Sequence, residues 1–177
     1  MAQRGVRLHP DLSQTLAKLE QLVALARRQQ WPIFFIQTEH SQWTDSEVWL
    51  QRMRLGVDVT TLPICAASSW GAEFYQILPQ ATDRVIVKHR YSAFLNTALK
   101  PSLLALGIET VLVTGVVTNT CVESTARDAF MHDFWTVTVA DCCAAPTQAE
   151  HDAALHNLAR YFGVVAQSND ILQAMSR

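Results

Sequence analysis

Hydrophobic positions along the chain alternate between two spacings. Residues 12–28 place Leu12, Leu16, Leu19, Val23 and Ala26 at three- and four-residue intervals, one face of an amphipathic helix. Pro10 and Asp11 precede it as a start signal. Residues 33–38, IFFIQT, form a continuous apolar run after Pro32, as a strand covered on both faces requires. Strands are also predicted at 84–88 (RVIVK), 111–117, 135–140 (WTVTVA) and, briefly, 164–166. Helices are predicted between them at 95–106, 119–131, 147–162 and 169–175. Gly107 ends the first of these, and Gly163 leads from the third into the last strand. In 147–162 the apolar face is Ala154, Leu155, Leu158 and Phe162. Residues 40–70 lack periodicity and are rich in Trp, Thr and Ser, which predicts a long active-site loop with a short helix near 45–53.

Strands alternating with helices predict an α/β fold, a doubly wound and mostly parallel sheet flanked by helices. The chain has 177 residues, no repeat and no linker, which suits one domain over 1–177. Hydrophobic residues make up 49% and charged residues 17%, a charge-poor surface that suits self-association. Net charge is −2 with no basic stripe, so nucleic acid is not the expected partner. No apolar run approaches the ~18 residues of a membrane span, and no signal peptide is evident. The four cysteines have neither zinc nor CxxC spacing, and Cys142 and Cys143 are adjacent. A reduced, cytoplasmic protein is expected. The six histidines show no metal-binding spacing, and no glycine-rich nucleotide motif occurs, so no metal and no cofactor are expected.

In open α/β sheets ligands bind at the carboxyl ends of the strands. Lys88 ends one strand, Cys121 follows the next, and Glu39 lies just past IFFIQT. Lys88 and Cys121 are one strand–helix–strand unit apart and can converge on one rim. Cys121 stands at a helix entrance, after the turn residues Thr118 and Asn119. Unpaired N–H groups there favour an anion and can hold the oxyanion formed when a thiolate attacks a carbonyl. Each residue also has a plainer reading. Cys121 suits a small core position, and Lys88 suits a strand end reaching into solvent. Glu39 and His40 suit a solvated loop edge. Arg127 and Asp128 suit a helix-surface pair or helix–loop contacts, and Asp141 a cap for the turn after its strand.

The segments KHRYSAF (88–94) and VTGVVTNTCVESTARDAF (113–130) resemble those of the isochorismatase-like cysteine hydrolases. WGAEFYQILP (70–79) and the helix at 95–107 follow the same pattern, and the resemblance runs from about residue 11 to the end. It is nearest to ureidoacrylate-type amidohydrolases. The resemblance implies a six-stranded parallel sheet and an Asp–Lys–Cys triad. Cys121 would be the nucleophile, cleaving a C–N bond of a small amide or ureido compound through an acyl-thioester. Lys88 would orient the triad and stabilise charge. The N–H groups of Val117 and Cys121 would form the oxyanion hole, and Val116–Val117 matches a peptide that is often cis. Trp70, Tyr91, Phe94 and Asn119 would bind substrate, with core packing an equal role for Phe94. The nicotinamidase-type metal cluster is not recognisable. A homo-oligomer, dimer or tetramer, is also implied.

One departure stands out. The family's Asp ends a first apolar strand ahead of the helix equivalent to 12–28. Residues 1–10, MAQRGVRLHP, contain no such strand, and no acid precedes Asp11. That strand would lie in mid-sheet, beside 33–38 and 111–117. Either the chain starts late relative to the working protein, or the sheet closes around the gap. Glu39 is the candidate stand-in for the acid, with Asp11 a weaker one. Two other functions follow from the departure. One is a catalytically impaired homologue serving as a subunit or binding module. The other, ranked lower, is a vinyl-ether hydrolase, whose chemistry depends even more on the Asp.

Overall fold

The structure, a computed structural model, describes residues 12–56 and 64–175. The Pro10-Asp11 start signal and the Asp11 stand-in lie outside them. Helix α1 (Leu12–Arg28) leads to strand β1 (Phe34–Thr38), and α2 (Glu47–Gly56) lies within the long loop. Strand β2 (Arg84–Lys88), α3 (Leu99–Ala105), β3 (Thr110–Val116), α4 (Glu123–Met131) and β4 (Trp135–Ala144) follow. The chain continues through α5 (Gln148–Tyr161), β5 (Val164–Ala166) and α6 (Ser168–Ala174). Every strand pairing is parallel, and helices cover both faces, as the alternating pattern predicts.

Among the described residues the strands form two ladders rather than one six-stranded sheet. β1 pairs with β2 from Phe34↔Arg84 to Thr38↔Lys88, and β3–β4–β5 form the other ladder. The ladders do not close on each other. Between β1 and β3 lies an apolar slot of about 550 Å³, lined by Phe34 and Ile36, Val111 and Val113, Leu22 of α1 and Leu103 of α3. The helices that line it are also anchored elsewhere. Leu22 and Leu25 pack on Val139 and Cys142 of β4, while Leu99 and Leu103 pack with Phe94, Ala129 and Phe134.

Four sequence readings need correction. The helix predicted from 95 begins at Leu99. Asn96 adopts φ 55°, and the Thr97 hydroxyl accepts from the Leu99 N–H, so the chain turns before the helix starts. Its far end is as predicted. Gly107 has φ 65°, and the Ile108 N–H donates to the Leu103 carbonyl. The strand predicted to stop at 140 continues to Ala144, because β3 offers a second stretch of edge after a register shift: Gly115↔Cys143 and Val116↔Ala144. Arg127 does not pair with Asp128. It reaches Glu123 Oε1 one turn back at 2.6 Å, and its guanidinium stacks 4.3 Å over the Phe162 ring.

Asp141 is not a turn cap either. It lies inside β4, where its carboxylate accepts from Lys18 Nζ at 2.8 Å and from the N–H and hydroxyl of Ser168, each at 2.8 Å. One side chain thus joins α1, the sheet and α6. Burial by itself raises the Asp141 carboxyl, but the bonds from Lys18 and Ser168 and the Lys18 charge outweigh it and hold it below the ordinary carboxylate range. A depressed folded value contributes stability above the unfolded value, near ~3.9, and that contribution is lost as pH falls through the folded value. Asp141→Asn is therefore expected to cost about 1–3 kcal/mol in urea unfolding at pH 7. The gap from the parent chain should narrow below about pH 4. A gap independent of pH would mean that the ionised carboxylate is not what joins the three elements.

Candidate active site

The carboxyl ends of β2 and β3 build the site. β2 alternates outward and inward side chains, and Lys88 takes an inward position with 3% exposure. Its Nζ donates to Cys121 Sγ at 3.2 Å and to the Arg90 carbonyl at 2.8 Å. A lysine so buried requires such partners, because a desolvated ammonium without acceptors is costly.

Cys121 lies in a single π-turn, Thr118–Val122, that opens α4, where the sequence predicts ordinary helix from residue 119. The Val117 carbonyl accepts from both Thr120 and Val122, each at 3.2 Å, which widens the turn. The Val116–Val117 peptide is cis. The turn is fastened from behind by α5. The Thr118 hydroxyl is 2.9 Å from His151 Nδ1, and Asn119 Nδ2 donates to Glu150 Oε1 at 3.3 Å. Burial lowers the His151 imidazole below its ordinary value, against an opposing pull from Asp152, so the neutral ring is favoured. The side-chain oxygen of Asn119 is buried without a partner.

The other thiols differ. Burial pushes Cys142 up to about 12 and raises Cys143 as well, so both stay protonated inside β4. Cys65 is raised by burial first and then by negative charge at Cys121, while the Lys88 ammonium pulls it back. It thus feels the field of the Cys121–Lys88 pair.

An aromatic and polar rim stands beside the site. Trp49 meets Tyr91 edge-on at 5.1 Å and stacks on His40 at 5.0 Å. Asp45 Oδ1 is 2.7 Å from His40 Nδ1, and the Arg90 guanidinium lies 5.0 Å from the Trp49 ring centre. Sequence reasoning missed Trp49, Asp45 and Arg90 and read His40 as a solvated edge, although it is 7% exposed. No local pattern marks these residues, because each meets the others only through loop folding.

The remaining predicted positions are dispersed. Trp70 is 64% exposed in a short 3₁₀ turn, tied to β1 by Gln37 Nε2 donating to the Ala72 carbonyl at 2.8 Å. Phe94 is buried in the core with Leu99 and Phe134 and lines the slot. Glu39 donates its N–H to the Lys88 carbonyl, and its own carbonyl lies 2.7 Å from His89 Nδ1. Its carboxylate contacts neither Lys88 nor Cys121, and among the described residues no other carboxylate does. No described helix is long and apolar enough to cross a membrane.

Residues 1–170 match the family model of the isochorismatase domain. The chain is 33% identical over 165 residues to a ureidoacrylate amidohydrolase of Methylobacterium radiotolerans, covering 85% of this chain and 63% of that protein. It spans between 40% and 63% of the length of the curated relatives it matches. N-carbamoylsarcosine amidase from Thermoplasma acidophilum superposes with a TM-score of 0.73 at 26% identity, over 89% of this chain and 84% of that one. A cysteine hydrolase structure from Pseudomonas syringae, 23% identical, shares the fold with a TM-score of 0.82 over 93% of this chain and 81% of that one. Sequence and fold agree: the chain belongs to the isochorismatase-like hydrolase family, among amidohydrolase relatives.

Proposed function

We propose that the chain hydrolyses a C–N bond in a small amide or ureido compound, with Cys121 as the nucleophile. The observation that carries this reading is the 3.2 Å contact between Lys88 Nζ and Cys121 Sγ at the strand rim. An ammonium at that distance, in a site largely removed from water, stabilises negative charge on sulfur. The thiolate adds to the carbonyl carbon, and the N–H groups of Val117 and Cys121 receive the oxyanion. Collapse breaks the C–N bond, and the amine leaves with a proton from the Lys88 ammonium, which later regains it from the thiol released by hydrolysis. Water then cleaves the thioester, releasing the acid and restoring the thiol. Tyr91 and Trp70 supply aromatic surface for the substrate, and the Asn119 side-chain oxygen is a ready acceptor for an amide or ureido N–H.

The test is rapid-quench mass spectrometry on a panel of small amides and ureas, alongside amine release. An acyl adduct on the peptide containing Cys121 is expected during turnover. Turnover with no adduct, or with the adduct on another residue, overturns the assignment.

A binding module without catalysis is the second reading, favoured by the lack of any carboxylate against Lys88 or Cys121 among the described residues. Iodoacetamide separates the two. An activated Cys121 should alkylate near neutral pH about 10-fold or more faster than Cys65, with Cys142 and Cys143 inert. Equal rates at Cys121 and Cys65 favour the binding module.

A further inference from the structure

We infer that His151 is a positioning residue: through the Thr118 hydroxyl, its imidazole holds the turn that presents Cys121 to Lys88. The inference rests on the reading of Cys121 as the nucleophile and assigns a further residue to that reaction. His151 reaches the turn at Thr118, three residues before Cys121, and acts through it.

The spacing along α5 puts the ring where it needs a partner. His151, Ala154 and Leu158 follow one another at three- and four-residue intervals, and all three are buried. Leu158 packs with Val113, Val122, Ala126 and Cys143, so this stripe is the core face of the helix. A polar group on such a face is costly unless it is hydrogen-bonded. The partner is the Thr118 hydroxyl, 2.9 Å from Nδ1 and itself fully buried. Burial favours the neutral ring, and a neutral imidazole bonds a hydroxyl at Nδ1 in either tautomer.

The bond falls on the first residue of the π-turn, Thr118–Val122. A π-turn departs from the regular helical ladder, and contacts from outside the helix favour it. Two side-chain ties run from the turn to α5. The one from Asn119 to Glu150 is 3.3 Å long and only part-buried, so water competes for it. The Thr118–His151 bond is shorter and shielded from water, and it is the tie on which the turn depends. α5 is a fixed base for it, because the Thr147 hydroxyl caps the helix, accepting from the Glu150 N–H at 3.2 Å and donating to Glu150 Oε2 at 2.7 Å. Lys88 is held separately, by β2 and by the Arg90 carbonyl. The 3.2 Å between Nζ and Sγ is therefore set from two sides, and releasing Thr118 frees the sulfur side alone.

The experiment is alkylation of the full chain by iodoacetamide at pH 7, read cysteine by cysteine in peptide mass spectra, and it needs no substrate. Thr118→Val and His151→Leu each remove the bond, and Cys121 is expected to react about 10-fold more slowly in both. Thr118→Ser and His151→Asn keep a polar atom in place and should recover most of the rate. Thr118→Val combined with His151→Leu should be no slower than either alone, because both remove one and the same bond. On the best amide or ureido substrate, kcat should fall about 10-fold in Thr118→Val while KM stays within about 3-fold. A merely structural loss reads differently: the core opens, so Cys142 and Cys143 begin to react and Cys121 is not slowed. Three outcomes overturn the inference: an unchanged Cys121 rate in Thr118→Val and His151→Leu, losses that multiply in the combined variant, or slowing that the conservative variants do not relieve. Failure of the nucleophile reading shows separately, in the parent chain, as a Cys121 no faster than Cys65, and it removes this inference with it.

Discussion

Cys121→Ala is expected to lower kcat for amide or ureido hydrolysis by about 10⁴-fold or more while leaving the fold intact. A loss of that size follows from the proposed role, because no other described nucleophile contacts Lys88 Nζ. The fold should survive because the sulfur does not hold the π-turn together. The Val117 carbonyl, the Thr118–His151 contact and the Asn119–Glu150 bond do that, and none involves the thiol. Lys88 keeps the Arg90 carbonyl as acceptor in the variant. Cys65→Ala is the control for general thiol effects, and its kcat should change by less than about 10-fold. Initial rates on the best substrate of the panel, with circular dichroism of each variant, provide the check. Undiminished turnover in Cys121→Ala would remove the nucleophile from the mechanism.

Gly163→Ala is expected to destabilise the protein by about 4 kcal/mol or more, among the largest costs of any single methyl group. Gly163 joins α5 to β5 at φ 150°, and a Cβ placed there would lie 2.2 Å from the Thr136 carbonyl oxygen and 3.1 Å from its carbon. The obstacle is backbone, and it is fixed. Thr136 pairs with Val111 in the β3–β4 ladder, so moving it would strain the centre of the sheet. Gly107→Ala makes a direct comparison. That glycine also has a positive φ, 65°, but nothing lies within 4 Å of its missing Cβ. Only the left-handed backbone is penalised, at about 1–2 kcal/mol. Urea midpoints of the two variants should differ in that order. Equal midpoints would mean that the close approach to Thr136 relaxes without cost.

These two sites mark a division that runs through the molecule. Periodicity is a short-range property, and it located most elements. The helix at 12–28, the strand at 84–88 and the glycine that stops α3 follow from residues within a few positions of each other. The strand-end placement of Lys88 and Cys121 was legible for the same reason, since each ends or follows an apolar run. The closeness of Thr136 to Gly163, in contrast, exists only after β4 and β5 have paired.

The same holds for the readings that failed. β4 extends to Ala144 because a partner edge is present, and Asp141 serves three elements because α1 and α6 converge on it. His40, Asp45, Trp49 and Arg90 meet across a loop with no period to read. The sequence by itself determined the order of strands and helices, the parallel class of fold and the two residues presented at its rim. Tertiary structure decided that ammonium and sulfur touch, and that among the described residues β1 and β3 do not pair. The reason is that local spacing is written in neighbouring residues. Contact distances and gaps depend on how helices anchored on opposite faces of the sheet position its strands.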